Sequence, residues 1–215
     1  LLDACQTAGV QQFIYFSTFH VYDSSSDKPI NESSPTRPIH PYAFSHRLAE
    51  DYVNWHKSTS DLETLIVRLS NGYGYPMTHT VNRWTLVFND LCNQAVLNKQ
   101  IILRSSGTQH RDFISLHDVS RAMEHLIFQP GVNWQDGLFN LGGNCSLSIA
   151  QVAHIIANEY GLVYGIPPSV TLGKDTDNVS SEKVSYNINK LLGTGFTLTG
   201  NMKEEIRVTF RMCEM

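Results

Sequence analysis

The sequence predicts an α/β protein built on a doubly wound, largely parallel sheet, and three observations carry that expectation. Short apolar runs such as "FIYFS" (13–17) and "LETLIVRLS" (62–70) have the composition of strands covered on both faces. These runs alternate with segments of helical apolar spacing, giving helix, strand, loop, helix, strand. A chain of 215 residues with 41% hydrophobic content can bury a proper core, as one domain or as two small ones.

Each element follows from local pattern. "LLDACQTAG" sets Leu1, Leu2, Cys5 and Ala8 on one helical stripe, and Gly9 is a natural left-handed terminator. The run 13–17 is the first strand. Residues 23–41, dense in Ser, Asp, Pro and Asn, form a loop. A helix over 42–57 is expected to turn Leu48, Tyr52, Val53 and Trp55 inward, and the strand 62–70 ends at "NGYGYP", suited to a sharp exit. A helix over 82–98, a strand at "IILR", a short strand at "DFI" and a helix over 117–128 follow. "GLFNLGG" reads as strand and turn, "SLSIAQVAHIIANEYG" as an amphipathic helix ended by Gly161, "SVTL" as a strand, and the tail as two short helices over 187–192 and 202–210. There is no internal repeat and no low-complexity tract.

Composition narrows the function classes. With 16 basic and 20 acidic residues, a net charge of -4 supplies no general basic field, so no nucleic-acid partner is expected. No apolar run approaches the ~20 residues that span a bilayer, so no membrane partner is expected and the protein is read as cytoplasmic. Cys5, Cys92, Cys145 and Cys213 are widely spaced and form no CxxC pair, so they are expected to be buried free thiols, and no metal site is predicted. The chain opens on Leu1 inside a helical pattern, which reads as the back part of a longer protein.

One stretch carries chemistry. In "HPYAFSHRLAEDYVNW" (40–55), Tyr42 and His46 lie at i, i+4 on one helix face, just after a strand and loop. Ligands bind at the carboxyl ends of strands in open α/β sheets, where "STFHVY" also puts Ser17 and Thr18. A phenol serves as acid or base near neutral pH when a cation and a hydroxyl lower its pKa, so Thr18, Tyr42 and a positive group form a proton-transfer set. The competing reading is packing of a Tyr and a His on one helix face.

The strand ending Ser-Thr-x-x-Val-Tyr, followed by a loop and a Tyr-x-x-x-(basic) helix, resembles the extended short-chain dehydrogenase/reductases, the NAD-dependent sugar-nucleotide epimerase/dehydratase family. "LLDACQTAGVQQFIYFST", "VRLSNGYG", "GTQHRDFISLHDVSRAM", "FNLGGNCSLSIAQVAHIIA" and "NINKLLG" resemble further family stretches in order and spacing. The resemblance implies a Rossmann-type doubly wound parallel sheet with a small discontinuous substrate-binding lobe. It implies a core of 1–75 with 106–142 and a lobe of 76–105 with 143–215. It further implies NAD or NADP as cofactor, a nucleotide-sugar substrate, and a homodimer formed through the Tyr42 helix.

The same resemblance assigns Thr18 as the hydroxyl steadying the substrate oxygen and Tyr42 as the proton-transferring phenol beside the cofactor. It assigns Asn71 as a phosphate contact, Arg111 as the guanidinium gripping the diphosphate, and Asn82 as a further substrate contact. Arg111 suits that task because it offers two parallel donors; the bland alternative is a surface ion pair with Asp112. Asp118 reads as a helix cap.

Three departures from the family pattern matter. His46 stands where the family has a lysine that holds the nicotinamide ribose and acidifies the tyrosine. A histidine titrates near ~6.5, so His46 either does a pH-dependent version of that job or leaves a catalytically inactive nucleotide-sugar-binding or scaffold protein. Phe19 and His20 replace the Asp-Glu of the dehydratase branch, which argues against a 4,6-dehydratase and leaves His20 as a substrate-side acid or base or as a packed loop residue. The Gly-rich turn that seats the pyrophosphate does not occur in the sequence.

Overall fold

The computed structural model describes residues 1–23, 29–78, 81, 83–174 and 183–215. The chain runs α1 (Leu2–Thr7), β1 (Gln12–Thr18), α2 (Pro41–Thr59), β2 (Glu63–Leu69), β3 (Asn71–Tyr73) and α3 (Val87–Asn93). It continues through β4 (Gln100–Ile102), β5 (His110–Ser115), α4 (Leu116–Phe128), β6 (Leu138–Leu141) and β7 (Ser146–Ser148). It closes with α5 (Ile149–Tyr164), β8 (Ser169–Thr171), α6 (Asn189–Leu192) and α7 (Met202–Cys213).

These elements form two compact units: Leu1–Ser70 with Arg121–Asn144 and Ser185–Thr197, and Asn71–Ser120 with Cys145–Val184 and Leu198–Met215. The division differs from the bounds expected from sequence, most of all at two stretches. The strand carrying Arg111, grouped with the core at 106–142, belongs to the second unit because β5 pairs with β3 and β7. The segment 185–197, grouped with the lobe, belongs to the first unit, where Tyr186 bridges to Ile30 and bonds Asn140.

In the first unit β1, β2 and β6 form a parallel sheet in which Thr18 lies opposite Leu69 and Leu69 opposite Leu141, so the carboxyl ends align. α2 is the crossover between β1 and β2, as parallel strands require. α1 stops because Gly9, at φ 70°, lets Val10 donate back to the Cys5 carbonyl at 2.9 Å. α2 starts because His40 Nδ1 accepts from the Tyr42 amide at 3.2 Å and Pro41 stands at the first helical position. Leu2, Val53, Leu62 and Ile66 form a core cluster with Phe13, Tyr15 and Leu138 against it. Each fully buried aliphatic contributes about 1.5–3 kcal/mol.

Two expectations about this unit are corrected. The inward face of α2 is Ala43, Glu50, Val53 and His56, whereas Leu48, Tyr52 and Trp55 are 70%, 52% and 53% exposed. Along β1, Phe16 is exposed, so the run is not buried throughout in the described chain.

Glu50 decides the helix orientation. Its buried carboxylate accepts from Arg68 Nε and an Arg68 terminal nitrogen of β2 at 2.8 and 2.6 Å, from Ser17 of β1 at 2.5 Å and from Arg47 at 2.9 Å. Burial alone would raise the Glu50 pKa, but the Arg68, Ser17 and Arg47 hydrogen bonds outweigh it and hold the carboxyl below the ordinary range. The Arg68 guanidinium also lies 4.6 Å from the Tyr22 ring centroid. The Tyr22 hydroxyl donates to Asn140 Oδ1 on β6 at 2.6 Å, and the Tyr186 hydroxyl shares its proton between the Arg68 carbonyl at 2.7 Å and the same Oδ1 at 2.9 Å.

The second unit packs Phe88, Leu91, Phe113, Ile156 and Phe210, among others, between α3, β5, α5 and α7. β3 pairs parallel with β5 and β5 antiparallel with β7, while β4 pairs with β8. The residues expected to form only a sharp exit, Asn71–Tyr73, are thus a strand. α3 begins at Val87 rather than at 82, and a π-helical turn, Gln94–Asn98, completes it. α5 runs past Gly161 to Tyr164 and ends at Gly165, at φ 92°. Gly161 is small for another reason: a Cβ there would sit 3.1 Å from Pro167. Of the four free thiols only Cys92 is fully buried; the others are partly exposed. Among the described residues no helix is long and apolar enough to cross a membrane.

Glu50→Ala leaves Arg68 buried without its partner and is expected to cost about 3–5 kcal/mol in chemical denaturation. Because the folded carboxyl is held below its free value of 4.5, the native pair contributes fully above that pH and is lost as pH falls through the folded pKa. Acid unfolding monitored by circular dichroism should show this loss in the native chain and not in the variant.

Candidate active site

The first cluster grows from the carboxyl end of β1. Thr18, 5% exposed, caps the 3-10 turn Phe19–Val21 by accepting from the His20 amide at 3.3 Å. The turn fixes the two residues that stand after the threonine. Phe19 meets the Tyr186 ring edge-on at 5.7 Å, and His20, exposed, lies edge-on to Tyr42 at 6.3 Å between centroids. Thr18 and Tyr42, distant in sequence, are therefore linked through His20.

Tyr42 sits in the first turn of α2, half exposed, with its ring 4.5 Å from that of His46. Among the described residues its phenol makes no hydrogen bond. His46 is half-buried and its Nδ1 is hydrogen-bonded to the Tyr15 hydroxyl of β1 at 2.9 Å. Burial lowers the His46 pKa, and the Glu50 carboxylate four residues on only partly offsets it. The shift favours the neutral imidazole, and the expected positive group beside Tyr42 is not a fixed cation.

The second cluster lies in the other unit. Asn71, at the start of β3, donates to the Asp112 carbonyl at 3.0 Å. Arg111 is half-buried on β5, and among the described residues its guanidinium has neither an ion pair nor a hydrogen bond. Burial without a counter-charge lowers its pKa, although a guanidinium stays protonated. The alternative of an Arg111–Asp112 ion pair is not observed: Asp112 is buried and accepts from the Cys145 amide at 3.0 Å. Asp118 is not the helix cap either. Ser115 Oγ caps α4 by accepting from the Asp118 amide at 3.0 Å, and the Asp118 carboxylate receives the Thr199 and Gly200 amides. Asn82 lies outside the described residues. Among the described residues no group of His, Cys, Asp or Glu is placed to hold a metal ion.

Sequence reasoning placed Ser17 at this rim but missed Tyr15, Glu50 and Arg68 as parts of the first cluster. Two signals pointed to them: Glu50 continues the Tyr42, His46 series at i+8 on one helix face, and Arg68 is a charge inside an otherwise apolar strand.

A sequence profile described as the NAD dependent epimerase/dehydratase family matches residues 1–142. The chain belongs to the NAD dependent epimerase/dehydratase family. It is 33% identical over 158 residues to dTDP-D-glucose 4,6-dehydratase of Mus musculus, a match covering 71% of this chain and 41% of that protein. It is 26% identical over 195 residues to UDP-glucose 4-epimerase of Azospirillum brasilense, covering 81% of this chain and 56% of that one. The chain thus spans about half the length of these family relatives. Its fold is that of UDP-glucuronic acid 4-epimerase from Bacillus cereus, solved with UDP-glucuronic acid and NAD, at a TM-score of 0.80 and 21% identity over all of this chain and 65% of that one. UDP-glucose 4-epimerase of Thermus thermophilus, solved with NAD, superposes at 0.77 with 22% identity, covering all of this chain and 67% of that structure. The likeness establishes the Rossmann-type α/β architecture of this family member.

The electrostatics of His46 are directly measurable. In an NMR pH titration its imidazole is expected to titrate below the ordinary histidine value of 6.5; a midpoint at or above it contradicts the burial argument.

Proposed function

We propose that the protein is an NAD(P)-dependent oxidoreductase of epimerase or reductase type acting on a nucleotide-sugar. One observation carries the proposal. Ser17, Glu50, Arg68, Tyr22, Asn140 and Asp118 are all hydrogen-bonded within the protein, whereas the Tyr42 phenol and the Arg111 guanidinium have no partner among the described residues. Neither is among the buried unsatisfied groups, so a ligand can bond to either one without displacing a protein partner.

In this reading the Tyr42 phenol exchanges a proton with a substrate hydroxyl while the buried Thr18 hydroxyl holds that oxygen. Tyr42 and His46 are the residues that would hold the nicotinamide end of the cofactor, which supplies hydride exchange when bound. The fit there is limited by residue chemistry. A neutral imidazole offers one donor where lysine offers three and a charge. His20, exposed beside Tyr42, is the nearest further group for a sugar hydroxyl. Arg111 would grip the diphosphate in a bidentate manner, with Asn71 and Asn82 as lesser phosphate and sugar contacts. Although relatives named as 4,6-dehydratases match this chain, Phe19 and His20 provide no pair of carboxyls after Thr18 for eliminating water, which favours epimerase or reductase chemistry.

The second reading, a nucleotide-sugar binder that has lost the reaction, is favoured by the neutral state of His46. Calorimetric titration of the full-length protein with NAD and then with UDP-, dTDP-, GDP- and CDP-sugars, followed by near-ultraviolet absorbance of reduced nicotinamide, separates the two. Conversion of the sugar, or a change in the nicotinamide absorbance, supports the enzyme; binding with neither at any pH supports the binder. Tyr42→Phe is expected to lower turnover by roughly a hundredfold or more while sparing nucleotide-sugar affinity, and unchanged turnover removes Tyr42 from the mechanism. Arg111→Glu is expected to weaken nucleotide-sugar affinity by roughly tenfold or more, and unchanged affinity argues against a diphosphate ligand.

The exposed face of α2 suits self-association. Leu48, Tyr52 and Trp55 form an apolar stripe at helical spacing, and aromatics are enriched in such interfaces. The proposed partner is a second copy of this chain. In analytical ultracentrifugation the native full-length protein should sediment as a dimer and Leu48→Glu with Trp55→Glu as a monomer; a native monomer rejects the assignment.

A further inference from the structure

β1 sends alternate side chains toward α2: Phe13 and Tyr15 pack against the cluster containing Val53, and Ser17 bonds Glu50. Packing alone would be served by phenylalanine at position 15. The hydroxyl of Tyr15 has a different task, because its partner is His46 Nδ1.

The groups facing His46 are Tyr15 from β1, with Tyr42 and Glu50 from its own helix. Glu50 is already bonded to Arg68, Ser17 and Arg47. Burial, with Glu50 and Tyr42 adding to it, raises the Tyr15 pKa, so this phenol keeps its proton. Between a neutral phenol and a neutral imidazole, the O–H is the stronger donor and the ring nitrogen the stronger acceptor. Nδ1 therefore accepts, and the ring proton resides on Nε2. When the ring gains a second proton, Nδ1–H donates to the Tyr15 oxygen instead, so the contact persists in both charge states.

We propose that Tyr15 is a positioning residue for the Tyr42 and His46 pair, holding the imidazole through Nδ1 so that Nε2–H is presented away from β1 beside the Tyr42 ring. The proposal rests on the reading of Tyr42 as the proton-transferring group. A flexible lysine in place of His46 would reach its target without such a tether. A short histidine, whose rigid ring has one free N–H, needs its rotation fixed.

The test uses the full-length protein with 15N-labelled histidine. NMR of the native protein should show His46 with an unprotonated Nδ1 and a protonated Nε2, and Tyr15→Phe should replace this with a mixture of tautomers. An Nδ1–H tautomer in the native protein overturns the proposal without needing any variant. In steady-state kinetics with NAD and the nucleotide-sugar that the titrations above identify, Tyr15→Phe should lower kcat by roughly ten- to a hundredfold with little change in the sugar KM. In a His46→Lys background the same change should cost less than about twofold, since the tethered group is gone. An equal loss in both backgrounds means Tyr15 is merely structural and rejects the proposal. Full activity in Tyr42→Phe rejects the proton-transfer reading instead, and the NMR result then stands apart from it.

Discussion

The buried pair of Glu50 with Arg68 fixes the first unit, because one carboxylate ties together three elements. Glu50 comes from α2, Arg68 from β2, and Ser17 from β1 joins the same carboxylate. A buried pair contributes little net stability compared with apolar residues of the same volume, since each ion loses its hydration. What it supplies is position. Removing either ion strands the other, so α2 cannot rotate or slide along the sheet without a penalty of several kcal/mol. Tyr42 and His46 lie two turns and one turn before Glu50 on that helix, so the pin that sets Glu50 sets them as well.

The class of fold was legible because it rests on local periodicity: alternating strands and helices at short range imply parallel pairing through crossovers. The pairing of Tyr42 with His46 was legible for the same reason, from i, i+4 spacing. The inward face of α2 was not. Apolar moment assigns Leu48, Tyr52 and Trp55 to the core, but the helix turns on a desolvated ion pair whose partner lies 18 residues away on β2. Non-local pairing also explains the other differences. Asn71–Tyr73 is a strand because β5 lies beside it, and Arg111 falls in the second unit with that strand. At the end of α5 two glycines competed as terminators, and the packing of Pro167 on Gly161 reserves the left-handed role for Gly165.

Of the candidate site residues, those carried by motif were recoverable from sequence and those carried by geometry were not. Arg111 was singled out by the resemblance of "GTQHRDFISLHDV" to a family stretch, and among the described residues its guanidinium has no protein partner. Tyr15 looked like one more aromatic of a buried strand. Only the register of β1 against α2 brings its hydroxyl to His46, and register is set by Ser17 meeting Glu50 two residues further along.

The substitution of histidine for the family's lysine changes the electrostatic problem of the site. Further along α2, Arg47 and Arg68 are committed to ion pairs with Glu50 and Asp51. A lysine would add a cation that persists far above neutral pH. His46 adds one only as pH falls below its lowered pKa, whereas a tyrosine acting as base requires the opposite drift in pH. The two demands overlap in a narrow interval, which a hydrogen bond from Thr18 to the developing oxyanion and a fixed Nε2–H on His46 would widen. If the proposed proton transfer holds, orientation would have to supply what a permanent charge supplies with lysine, and the contact of Tyr15 with His46 is the feature of the site suited to that.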